Sequence, residues 1–244
     1  MEDFIVKLNV FIDSISQPIW QERLLRGLFN TIQIAVLGLI IGICIGTVIA
    51  VIEVGPKNSI FIKILDKICN VYVALFRGTP MVVQLLIAYY LLLPALNITG
   101  IDAFNVGVAV FGMNSGAYIS EIMRSGINSV DSGQMEAGRA VGLSYATTMI
   151  KIVVPQAIKN IVPTLGNEFI TLIKETSVLS FITVFDLYTM CKMLGTANYE
   201  ITVPYLFMAI VYIVLVLLIT LLVRLVEKLM AKSDRTVAVK GGKA

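Results

Sequence analysis

The 244-residue chain is 57% hydrophobic and only 14% charged, with a mean hydropathy of +0.88, which excludes an ordinary soluble domain and indicates an integral membrane protein. Its net charge of +3 is small, and its basic residues flank apolar runs instead of forming one long patch, which argues against nucleic acid as a partner and leaves membrane lipid as the main surroundings. Histidine is absent, and Cys44, Cys69 and Cys191 stand far apart with no metal-ligand spacing, so neither a metal site nor a disulfide framework is indicated; without clustered carboxylates, a membrane enzyme has little support.

Residues 1–27 carry Glu2, Asp3, Asp13 and Glu22 around short apolar groups, unlike a cleaved secretory leader, and predict a retained amphipathic segment at the membrane surface. A transmembrane domain follows over residues 28–223. A bilayer core of about 30 Å needs about 20 helical residues, and five runs meet that length: Leu28 to Ile52, Val71 to Leu93, Phe104 to Met123, Asn167 to Tyr188 and Pro204 to Val223. The first carries Gly38, Gly42 and Gly46 at four-residue spacing, a stripe that lets a neighbouring backbone approach closely. Residues 224–244 form a basic tail.

An odd number of spans places the termini on opposite sides. Lys57, Lys63, Lys67 and Arg77 gather at the first turnaround, Arg124, Arg139, Lys151 and Lys159 at the third, and Arg224, Lys228, Lys232, Arg235, Lys240 and Lys243 after the last span. That side reads as cytoplasmic, so the N-terminus is expected outside and the C-terminus inside.

Between the third and fourth runs, residues 131–164 are too polar to span lipid yet keep a helical apolar pattern. The spacing predicts one short helix over residues 133–141, ended by Gly142 in a left-handed conformation, and a second beginning near Leu143 and Ser144 that Pro155 bends or ends. Such a helix-turn-helix can be a docking surface for a rigid partner or a lid over the bundle.

Within it, Glu136-Ala137-Gly138, then Gly142, Ile152 and Val154-Pro155, resemble the EAA signature of permease subunits of ATP-binding-cassette importers. Gly138 and Val154 stand where that family commonly has alanine and leucine. Phe76 to Pro80, Tyr118 to Ile127, Pro155 to Ala157, Pro163 to Asn167 and Lys174 to Ser177 are similar to the polar-amino-acid branch of the family, and the likeness covers roughly residues 25–225. The resemblance implies an all-α type I importer fold of five core helices in a bacterial cell membrane. It also implies two copies of an ATPase subunit, a second permease subunit that is identical or homologous, and an external solute-binding protein. No GxxxxGK[ST] string occurs in the chain, so ATP and Mg would be held by the partner ATPase. By the same resemblance Glu136, Ala137, Gly138, Gly142, Leu143, Ser144 and Pro155 couple that ATPase to the membrane helices, with Glu136 bracing the loop or meeting a basic group.

Polar groups at membrane depth usually face a cavity or one another. Asn114, Tyr118, Glu121 and Ser125 share one face of the third run, and Asn167, Glu168, Thr171, Lys174 and Glu175 form overlapping lines on the fourth. Gln84, Asn114, Tyr118, Glu168 and Thr171 are candidates for a substrate pathway; Arg77, Glu121, Arg124, Lys174 and Glu175 are candidates for ion pairs at an inner gate or within the structure. An ATPase-independent secondary transporter or channel would fit these polar helices but leaves the EAA loop unexplained. Which amino acid would be carried is not legible from these residues.

Overall fold

The computed structural model describes the backbone of residues 2–241 and the side chains of residues 2–230, and the described residues fold entirely into helices and their connections. In chain order they are α1 (Glu2–Ile15), α2 (Pro18–Val54), α3 (Ile60–Gly78), α4 (Met81–Ala95), α5 (Ala103–Asn128), α6 (Ser132–Ala140), α7 (Tyr145–Ile182), α8 (Leu187–Ala197) and α9 (Thr202–Gly241). The side chains of Lys232, Arg235 and Lys240 in the expected basic tail, and the whole of Lys243, lie outside the described residues.

The centre of the bundle is the pair α2 and α5. A Cβ on Gly42 would stand 2.8 Å from the Ser115 side chain, and one on Gly46 would stand 2.8 Å from the Ser120 backbone nitrogen. Traffic runs the other way too: Gly112 receives Ile41 and Gly116 receives Ile45 at 2.5 and 2.8 Å from the missing Cβ. Lipid tails offer a helix no hydrophobic drive to associate, so backbone-to-backbone approach through small residues is how such a pair gains its dispersion energy. Around the pair, Ile34, Phe111, Leu85, Leu172, Ile173, Leu179 and Ile182 form a fully buried core.

α2 and α9 are individually long and apolar enough to cross a bilayer. α3 with α4, bent by 107°, and α7 with α8, bent by 56°, pass the same test as pairs. α5 buries Asn114, Ser115 and Ser120 against its neighbours, which is how it carries polar groups that lipid would not tolerate. Several expected boundaries move. α2 starts at Pro18, so the expected division between residues 27 and 28 falls inside a continuous helix: Pro18 supplies a ready first turn, and an apolar-run search counts only what lipid touches. α1 folds its Phe11 against Phe207, ring centroids 5.2 Å apart, and joins Trp20, Leu187, Met190 and Leu194 in a second core.

The expected second run, Val71 to Leu93, is not one straight span. Pro80 removes a backbone donor and biases Thr79 toward extended geometry (φ −123°, ψ 144°), so α3 ends there. The carbonyls released at the break are taken up by side chains: Gln84 Nε2 donates to the Phe76 carbonyl at 2.8 Å and to the Thr79 carbonyl at 3.0 Å. Asn114 Nδ2 in turn donates to Gln84 Oε1 at 2.9 Å. The expected fourth run, Asn167 to Tyr188, covers the end of an α-helix, a 3₁₀ stretch over Thr176–Ile182, a turn and the first residues of α8. α2 fixes this turn. Asn30 Nδ2 donates to the Phe185 carbonyl at 2.7 Å, Thr31 Oγ1 accepts from the Leu187 amide at 3.1 Å, and Gly27 leaves room for the Asp186 carbonyl.

Pro155 does not end the second short helix. A π-helical stretch over Met149–Val153 directly precedes it, and the chain continues as α-helix to Glu175. The wider turn absorbs the missing amide and the bulk of the ring; the same pairing recurs where Ile87–Leu92 precedes Pro94.

Two stability predictions arise from this packing. Gly46→Ala pushes a methyl onto a backbone nitrogen that cannot yield and is expected to destabilise the protein by about 1–3 kcal/mol, whereas Gly78→Ala, with nothing within 4 Å of the added Cβ, leaves the melting temperature in detergent unchanged. Equal melting temperatures for both variants would remove the close approach from its central role. Gln84→Leu strands the Thr79 carbonyl at the α3–α4 break, worth about 1–3 kcal/mol when unsatisfied, and leaves the Phe76 carbonyl only the 3.3 Å bond from Asn114 Nδ2; it is expected to lower the melting temperature well below that of Thr171→Val, whose hydroxyl bonds only within its own helix.

Candidate functional site: a polar line through the bundle and a docking loop beneath it

The shared face of α5 opens onto two cavities. The first, about 210 Å³, is lined by Thr79, Pro80, Met81, Asn114, Tyr118, Glu168, Thr171, Leu172 and Glu175. The second, about 410 Å³, is lined by Arg77, Tyr118, Glu121, Ile122, Ser125, Gly126, Ser129, Asn160 and Thr164. Tyr118 belongs to both. Four of the five pathway candidates, Asn114, Tyr118, Glu168 and Thr171, therefore meet in one place. Gln84 does not, because its amide closes the α3–α4 break next door.

Electrostatically the two cavities differ. The smaller presents two carboxylates, Glu168 and Glu175, and no Lys or Arg in its lining. Glu168 Oε1 accepts from Ser115 Oγ at 2.9 Å, a bond across to α5 that aims the carboxylate. The larger cavity opens beside a chain of charges: Arg77 lies 3.6 Å from Glu121, Arg124 contacts Glu121 at 2.5 Å, and Arg124 Nε lies 3.5 Å from Glu53. The Arg77 guanidinium also stands 5.4 Å from the centre of the Tyr118 ring. Of the ion-pair candidates, Arg77, Glu121 and Arg124 come together, with Glu53 as a partner that sequence reading missed. Its signal was available as the first acid after the apolar run of α2. Lys174 projects from the exposed side of α7 outside this network, and Glu175 faces the smaller cavity instead.

The loop below is built in two halves. Asp131 caps α6 by accepting the Gly133 amide at 2.8 Å, and Ser144 caps α7 by accepting the Thr147 amide at 3.1 Å. Between them Gly142 has φ +86°, the Leu143 amide donates to the Gly138 carbonyl and the Gly142 amide to the Arg139 carbonyl. That pair of bonds is a Schellman ending, and the left-handed residue it requires is glycine at low strain. Gly138, where a methyl would stand 2.8 Å from Thr148 Oγ1, lets α6 lie directly on the start of α7. Ala137 is exposed, and Pro155 lies exposed in the first α-turn after the π stretch. Glu136 is exposed and meets no basic group among the described residues.

Val141, Leu143 and Ile150 are apolar and exposed on this loop, Val141 by 76%. Two hydrogen bonds fasten it to the bundle. The Tyr145 hydroxyl donates to the Val54 carbonyl at the end of α2 at 3.1 Å, and Asn160 Nδ2 donates to Ser129 Oγ at the end of α5 at 2.8 Å. Tyr145 was not a candidate from sequence; an aromatic residue in the first turn of an amphipathic helix carries no signal for a partner ninety-one positions away.

Comparison with known proteins fits this arrangement. The profile of the family described as "Binding-protein-dependent transport system inner membrane component" matches residues 38–232. The arginine transport system permease protein ArtQ of Bacillus subtilis (strain 168) is 39% identical over 211 residues, 86% of this chain and 94% of that protein. The L-cystine transport system permease protein TcyB of the same organism is 36% identical over 227 residues, 93% of this chain and 92% of that one. Among solved structures, a chain from "Crystal structure of an amino acid ABC transporter with histidines" superposes with a TM-score of 0.78 at 36% identity, covering 88% of this chain and 97% of that one. A methionine ABC transporter in inward-facing form, at 18% identity and a TM-score of 0.72, shares the fold. With an exposed helix-turn-helix, a polar line through a helical bundle and these relatives, the chain belongs to the binding-protein-dependent inner membrane component family, the permease subunits of ATP-binding-cassette transporters.

Proposed function

We propose that this permease subunit forms, with a second identical or homologous copy, the translocation pathway for a polar amino acid in a bacterial inner membrane, driven by two copies of a partner ATPase that hold ATP and Mg. An external solute-binding protein delivers the substrate. The observation that carries the coupling is the α6–Gly142–α7 loop: an exposed apolar ledge of Val141, Leu143 and Ile150, rigidly turned by Gly142 and tied to α2 and α5 by Tyr145 and Asn160. ATPase closure can carry such a ledge with it and bias the membrane helices between two arrangements, which is what alternating access requires.

The spans of this reading are α2, the bent pair α3–α4, α5, the bent pair α7–α8, and α9, with the N-terminus outside. In the smaller cavity Glu168 and Glu175 receive the substrate's ammonium group, while Asn114, Tyr118 and Thr171 offer neutral hydrogen-bond partners. Arg77, Glu121, Arg124 and Glu53 form an ion-pair lattice at the inner end that opens and recloses as the helices move. Relatives named for arginine and L-cystine transport support an amino-acid substrate.

The function is tested by ATP-dependent uptake of labelled amino acids into vesicles holding the assembled transporter, beside ATP hydrolysis in the same preparation. Gly142→Val places a β-branched residue at φ +86°, a strain of about 1–2 kcal/mol, although no atom lies within 4 Å of its Cβ. It is expected to insert and fold, and either to lose its ATPase partner or to let hydrolysis run without uptake, while Gly142→Asn keeps both coupled. Normal uptake and hydrolysis in the valine variant would overturn the role of this turn. For the topology, single cysteines in a chain lacking Cys44, Cys69 and Cys191 serve as markers: Ser132→Cys is expected to stay unlabelled by an impermeant thiol reagent applied to intact cells, and Asn97→Cys to label. The reverse pattern would invert the orientation.

A further inference from the structure

A third cavity lies at the opposite end of the bundle from the docking loop, between α2 and α8. It measures about 520 Å³, and its lining includes Trp20, Arg23, Lys192, Met193, Thr196 and Ala197. No carboxylate lines it. Neither Arg23 nor Lys192 enters an ion pair within the described residues; the Arg23 guanidinium stands 4.7 Å from the centre of the Trp20 ring. The hydroxyls of Thr196 and Thr189 donate back to the Lys192 and Val184 carbonyls at 2.9 and 3.1 Å, so the charged donors at the rim are the two cations. The cavity is thus an apolar bed, Met193 and Ala197 with the Trp20 ring, bounded by two positive charges.

Its depth along the membrane normal follows from α2. Charged residues stop at Arg26 and the apolar run starts at Leu28, so Arg23 lies about 8 Å along the axis from the start of that run, at 1.5 Å per residue. That is headgroup depth. Beside it α1, held to the same core by Phe11, exposes Phe4, Ile5, Val6, Val10 and Ile12, an apolar surface suited to the boundary between headgroups and acyl chains. Trp20 is itself largely buried in that core and borders the cleft, and a tryptophan at this level is a common interfacial anchor.

We propose that this cleft binds an anionic phospholipid, its phosphodiester between Arg23 and Lys192 and the first part of an acyl chain over Met193 and Ala197. A free phosphate would find the two cations but gain nothing from the apolar bed, and a zwitterionic lipid would gain the bed but set its own cation against both residues. The occupied cleft would bridge α2 to α8, the two helices that meet at the turn after α7. This site is independent of which solute the protein carries and of the direction of transport.

Trp20 is the only tryptophan in the chain and lies against the cleft, so it reports directly on the occupant. The assembled transporter is placed in phosphatidylcholine vesicles containing a minor fraction of phosphatidylglycerol, with bromine on the acyl chains of one lipid or the other; Trp20→Phe in the same assembly supplies the background from partner chains. Brominated phosphatidylglycerol is expected to quench Trp20 far beyond its share of the bilayer, with about fivefold enrichment for each basic residue. Lys192→Gln and Arg23→Gln should each remove one such factor, and Arg23→Lys should retain it. Quenching in proportion to bulk composition overturns the site, as does an enrichment that survives both glutamine variants. An equal change in Trp20 emission on adding inorganic phosphate to pure phosphatidylcholine vesicles overturns the lipid assignment. Unchanged melting temperatures of the glutamine variants separate loss of binding from loss of fold.

Discussion

The approach of α2 to α5 is the constraint on which the other features rest. With glycines at 38, 42 and 46 on one helix and at 112 and 116 on the other, two backbones come close enough for side chains of each to occupy the space where the other has none. The same two helices then anchor the breaks and the loop around them. α2 pins the turn before α8 with Asn30 and Thr31 near one end and receives Tyr145 at the other. α5 offers Asn114 to the α3–α4 break, Ser115 to Glu168 and Ser129 to the docking loop. A bundle with a close-packed centre can rearrange its periphery without losing register, which suits the alternating access proposed for this permease.

The breaks in the outer helices are equally deliberate in physical terms. A helix interrupted inside a bilayer exposes carbonyls and amides that lipid cannot satisfy, and such interruptions persist only where protein supplies partners. At Thr79 and Pro80 the partner is Gln84, itself held by Asn114. At Phe185 and Leu187 the partners are Asn30 and Thr31. Both breaks border the smaller cavity or the turn that leads out of it, so the irregular backbone lies where a pathway needs walls that are not smooth cylinders. The charges follow a similar logic: Glu168 and Glu175 face a small cavity with no Lys or Arg in its lining, while Glu53, Glu121, Arg77 and Arg124 neutralise one another beside the larger one.

Much of this was written in local patterns. Hydropathy alone gave a membrane protein, the glycine spacing on α2 announced a close neighbour, and the line Asn114, Tyr118, Glu121, Ser125 announced a cavity-facing side of α5. Gly142 gave the docking loop its turn, because glycine is the residue that a left-handed ending favours. Three other helices end on the same paired bonds with Asn97, Thr183 and Tyr199 as the left-handed residue, at φ 53°, 64° and 51°. Asn97 is a residue that such an ending favours, but the β-branched Thr183 and the aromatic Tyr199 give no local warning, and those two endings were not legible.

Period and composition therefore carried the helices, their apolar faces, the helix-turn-helix and the family to which its motif points. The tertiary structure decided what depends on meeting. It made Gln84 a clasp for a broken helix, joined Glu53 to Arg124, left Glu136 facing solvent and set Tyr145 against the end of α2. The physical reason is range. Helical periodicity and capping act over a few residues and leave a mark in the local sequence, whereas a hydrogen bond or an ion pair across the bundle links positions that share no local pattern and exist as partners only once the glycines of α2 and α5 have brought their helices together.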